Sequence, residues 1–492
     1  MKILFETQTL YYENFEPREM FPYLNDASTI IPVTVKCDGS EEERNKLILK
    51  AAKAILPDFF KVSRSKAKQQ YTIRTLSGGL SNALYTLTRS SDPEIDIERA
   101  DASSPSTICD GVTEADDEFQ KVSCAIPTTV LVRVNFCCHD AEDLLVDRDR
   151  DVQVMCELAS VGSAPAMYGR FENGRIEEFY QGCTTLSYKE MAHPRFAPQI
   201  AQKMARIHMQ TERMIHKVKP LSSNLPKTGE IWSKLRLWLD SLNSLYKNDE
   251  TSVERQDLPS LSALNGELVW LENALTSVGP TQLPLDKQEH SYEKLCRENS
   301  TQILARNVAK QIVLCHMDCQ SLNIIRMPSK KRKVFAEDEI KLIDFEYAAY
   351  NPCAADIANT FCEHCDMNNL NADFEKQYPT KDQQDVFIRA YLNEAHPELY
   401  HQLSQSQVLS NEFLNHFRQQ VNQHALISHF MWCLWSMIQS LTCPLEFDFV
   451  KYAQIRFEGY TMFKSKYFAH ESIRDHTSQS TLDLKDVCKS RI

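Results

Sequence analysis

The 492-residue chain has no apolar run long enough to span a membrane. A transmembrane helix requires roughly 18 consecutive apolar residues, and no segment approaches that length. The opening segment, MKILFETQTLYYENF, has only a brief apolar run before Glu6, so it does not read as a signal peptide either. The sequence therefore predicts a cytoplasmic protein with no integral membrane segment.

Positive charge is also in short supply. Lys and Arg number 55 against 67 Asp and Glu, which gives a formal net charge of −12. This balance does not attract nucleic acid or an anionic membrane, so no nucleic-acid partner is expected. The 42% hydrophobic and 25% charged fractions are those of an ordinary globular protein, and the length indicates more than one domain or lobe.

Two clusters of chemistry-bearing residues have ordinary explanations. The segments CEHC, residues 362–365, and CCH, residues 137–139, carry zinc-type ligands but lack a clean second CxxC pair, so metal binding is the weaker interpretation. The basic run from Lys330 to Lys333 resembles a nuclear-import signal, although a solvated turn is the favoured interpretation. The sixteen cysteines, without a signal peptide, indicate reduced thiols rather than a disulfide framework.

The first part of the chain reads mainly as strands. Helical periodicity over Asn45–Phe60 ends near Pro57, and the following segment, YTIRTLSGGLSNALYTLTR, reads as strand, glycine turn and strand. Further strands are predicted over Thr129–Phe136 and Ala166–Phe171, with a helix over Arg148–Ser160 between them. An acidic, Ser- and Thr-rich stretch at about 90–127 is predicted to be an insertion.

The pattern becomes helical after about residue 182. The segments APQIAQKMARIHMQ and NHFRQQVNQHALISHFMWCLWSMIQS predict amphipathic and buried helices, the second as one long helix or a pair. A polar stretch over residues 276–300 is a candidate for disorder. We therefore predict an α+β, two-lobed fold, with a β-rich nucleotide-binding lobe over 1–182 and a mainly helical lobe over 183–492.

The most specific signal is a pair of segments in the second lobe. VLCHMDCQSLNII contains His316, Asp318 and Asn323, and KLIDFEYAAYN, which follows after a hairpin-length gap, contains Asp344. This order is typical of the catalytic loop and metal-binding strand of kinase-like enzymes. Asp318 can accept or orient the proton of an attacking hydroxyl, while Asn323 and Asp344 can hold Mg²⁺ against the phosphates of ATP. ATP and Mg²⁺ are therefore the predicted cofactors.

Two weaker signals precede it in the order that a kinase requires. The glycine turn SGGLSN comprises Ser77, Gly78, Gly79, Leu80, Ser81 and Asn82. Such a turn can cradle phosphate oxygens, although most Gly-Gly turns only reverse the chain. Arg133, in a predicted strand, can hold nucleotide phosphates if Glu157 tethers it, but a structural salt bridge is the more common role of such a pair.

A tryptophan pair suggests how an acceptor could bind. Trp432 and Trp435 lie three positions apart in a predicted helix and share a face. A quaternary ammonium cannot donate an N–H hydrogen bond, so proteins hold it with aromatic faces and a nearby carboxylate, which Glu363 could supply. A tryptophan pair in an apolar helix is more often core, but a phosphotransferase needs an acceptor site and this helix is a candidate to line it.

The sequence resembles the choline/ethanolamine kinases. The resemblance rests on SGGLSNALY, VLVR, IAQKMARIH, CHMDCQSLNII, LIDFEYAAYNPCAADIANTFCE, SHFMWCLWSMIQS and YAQIRFEGY, and it covers most of the chain outside the insertions. It implies a fold like that of eukaryotic protein kinases and transfer of the γ-phosphate of MgATP to the hydroxyl of choline or ethanolamine.

The resemblance also implies roles for individual residues. It assigns residues 77–82 to the ATP loop, Arg133 to the nucleotide phosphates, Asp318 to catalysis, and metal and phosphate roles to Asn323 and Asp344. Glu157 is a nucleotide-site candidate from the sequence pattern, as the tether of Arg133. The implied aminoalcohol pocket comprises Tyr347, Glu363, Trp432, Trp435 and Tyr452. Two departures stand out: the family usually has Asn where this chain has Met317, and choline kinases commonly have aromatic residues after the glutamate of EHCDMNN.

These observations support a main hypothesis and several alternatives. The hypothesis is that the protein phosphorylates choline, as the first step toward phosphatidylcholine, and also acts on ethanolamine. An ethanolamine kinase, or a kinase of another aminoalcohol or an aminoglycoside, is the alternative within the enzyme class. A non-catalytic kinase-like scaffold is the alternative outside it, and a homodimer is a candidate assembly.

Overall fold

The computed structural model describes residues 29–37, 39–60, 71–76, 82–89, 127–135, 145–221, 225–248, 257–276, 300–327, 339–443 and 445–468. The described residues of Met1–Cys137 and Leu158–Gln181 form one compact unit, and those of Cys138–Glu157 and Gly182–Ile492 form a second. The glycine turn up to Ser81, almost all of the acidic insertion, the basic run and most of 276–300 lie outside the described residues.

The first unit is built on a six-stranded sheet with the order β1-β5-β6-β4-β3-β2. Its strands are β1 (Ile30–Ile31), β2 (Tyr71–Leu76), β3 (Asn82–Arg89), β4 (Thr129–Asn135), β5 (Met167–Phe171) and β6 (Gly174–Glu178). Except for the parallel β1–β5 pair, neighbouring strands are antiparallel. The strand predicted over Thr129–Phe136 forms as β4. Its Val130, Val132 and Val134 are all buried, as expected for alternate residues that face the core from one side of a sheet.

Helix α1 (Glu41–Ile55) covers part of this sheet. Its buried face, which includes Ile48, Ala51 and Ile55, belongs to the same apolar core as the valines of β4. The helix begins four residues before the predicted start, because the side chain of Ser40 caps it by accepting a hydrogen bond from the N–H of Glu43. A short 3₁₀ turn, Pro57–Phe60, follows the helix, where the sequence predicted helical structure to end near Pro57.

The second unit is mainly helical. Its helices, counting most of α2, are α2 (Arg148–Ala159), α3 (Tyr188–Met191), α4 (Ala197–Met209), α5 (Thr211–Ile215), α6 (Ile231–Asn248), α7 (Leu261–Thr276), α8 (Ser300–Ala309), α9 (Cys353–Cys362), α10 (Phe374–Gln377), α11 (Lys381–Ala395), α12 (Pro397–Ser404), α13 (Gln407–Thr442) and α14 (Phe449–Phe468). Its strands are β7 (Thr184–Thr185), β8 (Ile312–Cys315), β9 (Ile324–Met327), β10 (Glu339–Leu342) and β11 (Ala349–Pro352). The β-rich first unit and helical second unit confirm the predicted α+β fold class.

The core of the second unit is organised around α13, which packs against α14, α9 and α8. The structure has one helix of 36 residues where the sequence left open one helix or two. Its middle part, residues 424–439, is buried on all sides, which is typical of a helix at the centre of a domain. No helix within the described ranges is both long and apolar enough to cross a membrane.

Helix α2 belongs mostly to the second unit, because ion pairs hold it there. Arg148 Nη1 lies 2.7 Å from Glu346 Oε2, and Arg150 Nη2 lies 2.6 Å from Glu230 Oε2. Glu230 is buried and also accepts a hydrogen bond from the backbone N–H of Tyr350. The residues around Arg148 and Arg150, which the sequence placed in the first lobe, therefore form part of the unit that carries Asp318.

Candidate active site

Two antiparallel strand pairs bring the Asp318 and Asp344 segments together. Strand β8, which precedes Asp318, pairs with β11, and β9, which follows Asn323, pairs with β10. Between them, the N–H of Ile343 donates a 3.1 Å hydrogen bond to the carbonyl of Asn323. Asp344 therefore directly follows Ile343, whose backbone is hydrogen-bonded to the segment that carries Asp318 and Asn323.

Asn323 holds Asp318, the predicted catalytic residue, and keeps its own amide oxygen as an acceptor. Its side-chain Nδ2 donates to the carbonyl of Asp318 at 2.9 Å and to Asp318 Oδ2 at 2.7 Å. Because both bonds use the amide nitrogen, the amide oxygen is left as an acceptor. Amide and carboxylate oxygens are ligands that Mg²⁺ prefers, so Asn323 and Asp344 fit the predicted metal role.

Two residues of the site have left-handed backbone conformations. Asp344 has φ 69° and Met317 has φ 63°. Aspartate and asparagine adopt this region more readily than other non-glycine residues, whereas for methionine it costs about 1 kcal/mol or more. The departure from the family pattern at Met317 therefore introduces backbone strain into the loop, and other contacts must hold the loop in place.

Asp356, at the start of α9, provides those contacts. Its Oδ2 accepts a 2.8 Å hydrogen bond from the N–H of His316, and its Oδ1 accepts a 2.7 Å bond from the N–H of Met317. The N–H of Cys319 donates in turn to the side chain of Asn359, one turn further along α9. The loop is thus anchored to α9 on both sides of Asp318.

His208 holds this anchor from α4. Its Nε2 lies 2.9 Å from Asp356 Oδ2, and its Nδ1 lies 2.9 Å from the hydroxyl of Tyr391. Although burial acts to raise the pKa of Asp356, the hydrogen bond from His208 and the nearby His316 hold that pKa below its usual value. A buried group of residue types that can bind metals comprises His208, Cys315 and Asp356. Two of them, His208 and Asp356, already take part in the hydrogen bonds that support the loop.

His316 is held as a neutral imidazole. Its Nε2 lies 3.0 Å from the carbonyl of Ile343, and its Nδ1 accepts a 3.3 Å hydrogen bond from the N–H of Asp318. This pattern requires the proton on Nε2 and none on Nδ1. Burial lowers the pKa of His316, in agreement with that assignment.

Three neighbouring carboxylates act on Asp318, although Arg148 pairs with Glu346 and Arg456 pairs with Glu363. Burial, followed by the carboxylates of Glu363, Asp344 and Glu346, raises the pKa of Asp318 well above its usual range. A carboxyl group whose pKa is raised by neighbouring carboxylates is favoured by a bound cation, which offsets the like charges. This arrangement suits both a divalent metal and a cationic acceptor.

The predicted aminoalcohol residues Tyr347, Trp432, Trp435 and Tyr452 form one aromatic cluster. The Trp432 and Trp435 ring centroids are 5.4 Å apart, Tyr347 lies 5.1 Å from Trp432, and Tyr452 lies 6.3 Å from Trp435. The indole N–H of Trp435 also donates a 2.8 Å hydrogen bond to the Tyr347 hydroxyl. Trp432 and Trp435 are 5% and 4% exposed, so both belong to the buried interior while still meeting the other predicted residues.

Glu363, the fifth predicted pocket residue, already has a partner that the sequence did not identify. Arg456 of α14 pairs with its Oε1, and both side chains are buried. The guanidinium centre of Arg456 lies 5.0 Å from the Tyr452 ring and 6.0 Å from the Trp432 ring. A resident cation therefore lies on two of the rings that were expected to receive the acceptor.

Two cysteines that offered zinc-type chemistry are buried thiols. Burial is the largest influence on Cys362, and it raises the pKa of that thiol to about 12. Its Sγ lies 3.6 Å from His429 Nε2, and Cys365 is likewise a free, buried cysteine. Zinc is held by thiolates, so a protonated thiol in this environment fits a packing role.

The predicted nucleotide residues lie partly outside the described residues. Of residues 77–82 only Asn82 is described, at the start of β3 and buried. Arg133 is buried in β4, where its Nη2 lies 3.5 Å from Glu177 Oε1. Glu157, in α2, has an oxygen 3.4 Å from Arg213 Nη2. A tether between Arg133 and Glu157, and the ATP-loop role of residues 77–82, stay predictions.

The Asp318 loop, anchored by α9, and Asp344, just beyond β10, form the arrangement predicted for a phosphotransferase site of the kinase-like class. A family model described as choline/ethanolamine kinase matches residues 73–461. Human ethanolamine kinase 1 is 30% identical over 73% of this chain and 66% of its own length, so the chain spans just under two thirds of that relative. Mouse ethanolamine kinase 1 is 31% identical over 73% of this chain and 82% of its own length.

A solved structure agrees at the level of the fold. The choline kinase from Cryptosporidium parvum superposes with a TM-score of 0.58 at 22% identity, covering 87% of this chain and 97% of that one. The chain belongs to the choline/ethanolamine kinase family. The resemblance inferred from the sequence is therefore confirmed, and with it the predicted class of enzyme, a kinase that acts on an alcohol group.

Proposed function

We propose that the protein transfers the γ-phosphate of ATP to the hydroxyl of choline, the first step toward phosphatidylcholine. The observation that carries this proposal is the aromatic cluster of Tyr347, Trp432, Trp435 and Tyr452 beside a carboxylate-rich catalytic loop. Asp318 contributes to the raised pKa values of both Tyr347 and Tyr452, after burial and nearer charges, so these rings lie within its electrostatic reach. Aromatic faces near carboxylates suit a methylated ammonium.

Each residue of the proposed mechanism has a physical task. Asp318, held by Asn323, accepts or orients the proton of the attacking hydroxyl. Asn323 and Asp344 would hold Mg²⁺, which would offset negative charge on the ATP phosphates. Residues 77–82, with Arg133, hold the nucleotide. Residues 1–182, apart from the α2 residues that belong to the second unit, accordingly serve as the nucleotide lobe, and residues 183–492 carry the catalytic loop and acceptor site.

Ethanolamine is the second candidate acceptor, and two observations favour it. The human and mouse relatives are named ethanolamine kinases. Arg456 already lies against the rings of Trp432 and Tyr452, which leaves less aromatic surface for a bulky methylated cation. A primary ammonium can instead donate hydrogen bonds to a carboxylate such as Glu363.

A non-catalytic scaffold is the less favoured proposal. A scaffold has no physical need for Asp318, Asn323 and Asp344 together, and the hydrogen bonds of Asn323 and Asp356 hold the loop in one defined arrangement. The sequence also predicts a cytoplasmic location, and a homodimer is the candidate assembly.

Purified protein should consume ATP in the presence of Mg²⁺ and an acceptor. We expect choline to give a higher kcat/KM than ethanolamine, with little turnover when no acceptor is added or when Mg²⁺ is chelated. A preference for ethanolamine would retain the kinase and reassign the rings mainly to packing. Absence of acceptor-dependent turnover would contradict the proposal and favour the scaffold.

A further inference from the structure

Arg456 is the most deeply buried charged group beside the aromatic cluster. It is 0% exposed, and its Nη2 donates to Glu363 Oε1 and, at 2.6 Å, to the Tyr452 hydroxyl. Burial acts to lower the pKa of Arg456, but the charge of Glu363 and the Tyr452 hydroxyl outweigh it and raise that pKa above its usual value. The guanidinium is therefore a permanent charge inside the predicted acceptor site.

Only one oxygen of Glu363 is used by this ion pair. Oε1 accepts from Arg456, whereas Oε2 makes no hydrogen bond with any described residue. Glu363 is 5% exposed and contributes, after burial, to the raised pKa of Asp318. One carboxylate oxygen is thus fixed in orientation and the other is left to accept a hydrogen bond or face a cation near the catalytic aspartate.

We propose that Arg456 is a positioning residue that orients Glu363, so that Glu363 Oε2 faces the ammonium group of the acceptor. This inference rests on the proposed function, because it assigns Glu363 to the acceptor of the same site. Arg456 does not touch the reacting hydroxyl. It acts through Glu363 and through Tyr452, which shares the same guanidinium nitrogen.

The physical need for such a residue follows from the surrounding charges. Without Arg456, Glu363 would lose the ion pair that holds its Oε1, while the Asp318 carboxyl would still act on it electrostatically. A buried carboxylate in that setting either takes up a proton or turns toward water, and in both cases it interacts less well with an ammonium. Arg456 holds the carboxylate in place before the acceptor arrives, which lowers the cost of binding.

A purely structural ion pair is the alternative, and the two roles differ in a measurable way. A positioning role affects acceptors in proportion to their positive charge, because the effect passes through the Glu363–ammonium contact. A structural role affects charged and uncharged acceptors alike. The carbon isostere of choline, in which a neutral tert-butyl group replaces the trimethylammonium, separates the two.

The experiment compares Arg456→Lys with the wild-type enzyme on choline and on this neutral isostere. Lysine keeps a positive charge but cannot reproduce the planar geometry of the guanidinium. We expect the KM for choline to rise about tenfold, which corresponds to about 1.4 kcal/mol, while the KM for ATP, the kcat and the KM for the isostere change by less than about threefold.

Two further variants make the result specific. Arg418→Lys is the matched control, because Arg418 pairs with Asp385 away from the aromatic cluster and should leave all of these constants unchanged. In a Glu363→Gln background, Arg456→Lys should have no additional effect on the choline KM, because the residue through which it acts is gone. If Arg456→Lys does not fold, Tyr452→Phe, which removes one anchor of Nη2, should raise the KM for choline more than that for the isostere.

The outcomes distinguish this inference from the proposed function. Equal increases in KM for choline and the isostere, or no change in either, would overturn the role of Arg456 while leaving the kinase intact. An additional effect of Arg456→Lys in the Glu363→Gln background would also overturn it. A wild-type enzyme that turns over neither choline nor ethanolamine would overturn both proposals.

Discussion

Asp356 shows how a single buried side chain can determine the shape of the loop that carries Asp318. The carboxylate is 0% exposed, accepts two backbone N–H groups of the loop and is itself held by His208. It compensates for the left-handed backbone at Met317, which an asparagine would adopt at lower cost. The loop therefore depends on α9 as much as on its own sequence.

Replacing Asp356 by Asn should destabilise the protein and impair catalysis together. The amide can accept with only one oxygen, so one of the two loop N–H groups loses its charge-assisted bond. We expect the free energy of unfolding to fall by about 3 kcal/mol, measured by urea denaturation, with a fall in kcat of at least about tenfold. Asp366→Asn is the control, because Asp366 is buried but accepts a hydrogen bond from Asn369 rather than from the loop. Similar losses in the two variants would contradict the anchoring role of Asp356.

At the residue scale, the sequence identified residues whose partners are close along the chain and missed residues whose partners are far along the chain. Asp318 and Asn323 lie five positions apart and bond to each other directly. Asp356 lies 40 positions from His316, and Arg456 lies 93 positions from Glu363. A charged residue in an otherwise apolar helix, such as Asp356 in CAADIANTFC, signals a buried partner, but its identity is set only by the packing.

At the scale of elements, the close packing of α13 and α14 depends on a glycine. A Cβ placed on Gly459 of α14 would lie 2.6 Å from His429 Cε1 and 2.7 Å from His429 Nδ1. His429, in α13, is completely buried, and its ring centroid lies 5.1 Å from that of Phe463. The imidazole has little room to move, so the absence of a side chain at residue 459 permits the helices to approach.

Gly459→Ala should therefore destabilise the protein although alanine is the better helix former. The intrinsic gain of about 1 kcal/mol is outweighed by overpacking, and we expect a net loss of about 1–2 kcal/mol in the free energy of unfolding. Gly266→Ala is the matched control, because Gly266 lies within α7 and a Cβ there would meet nothing within 4 Å. That change should stabilise by about 0.5–1 kcal/mol. Stabilisation of both variants by thermal or urea unfolding would contradict the close contact.

Element types were predictable where periodicity was strong, and boundaries were less so. The valines of β4 and the buried face of α1 follow regular patterns that give strand and helix directly. The start of α1 depends on the Ser40 cap, which lies outside the apolar pattern. The unbroken length of α13 depends on its burial among other helices, which periodicity alone cannot distinguish from a pair.

At the scale of the whole molecule, charge is distributed to suit cationic ligands. The chain carries a net charge of −12, and acidic residues are concentrated around Asp318. The proposed ligands of this site, Mg²⁺ and an aminoalcohol, are both cations. The assignment of residues 148–157 to the second unit was not predictable from the sequence, because the ion pairs of Arg148 and Arg150 join segments about 80 to 200 positions apart.

The most direct measurement is the acceptor-dependent turnover of Asp318→Ala with choline, ethanolamine and MgATP. The account predicts a fall in kcat of about 10²–10⁴-fold, with the thermal unfolding temperature and ATP binding nearly unchanged, because the variant loses the proton acceptor but keeps the fold. Asp382→Ala, at an exposed position in the first turn of α11, should retain full turnover. If Asp318→Ala kept turnover within about tenfold of the wild-type rate, the catalytic role of Asp318 would be contradicted.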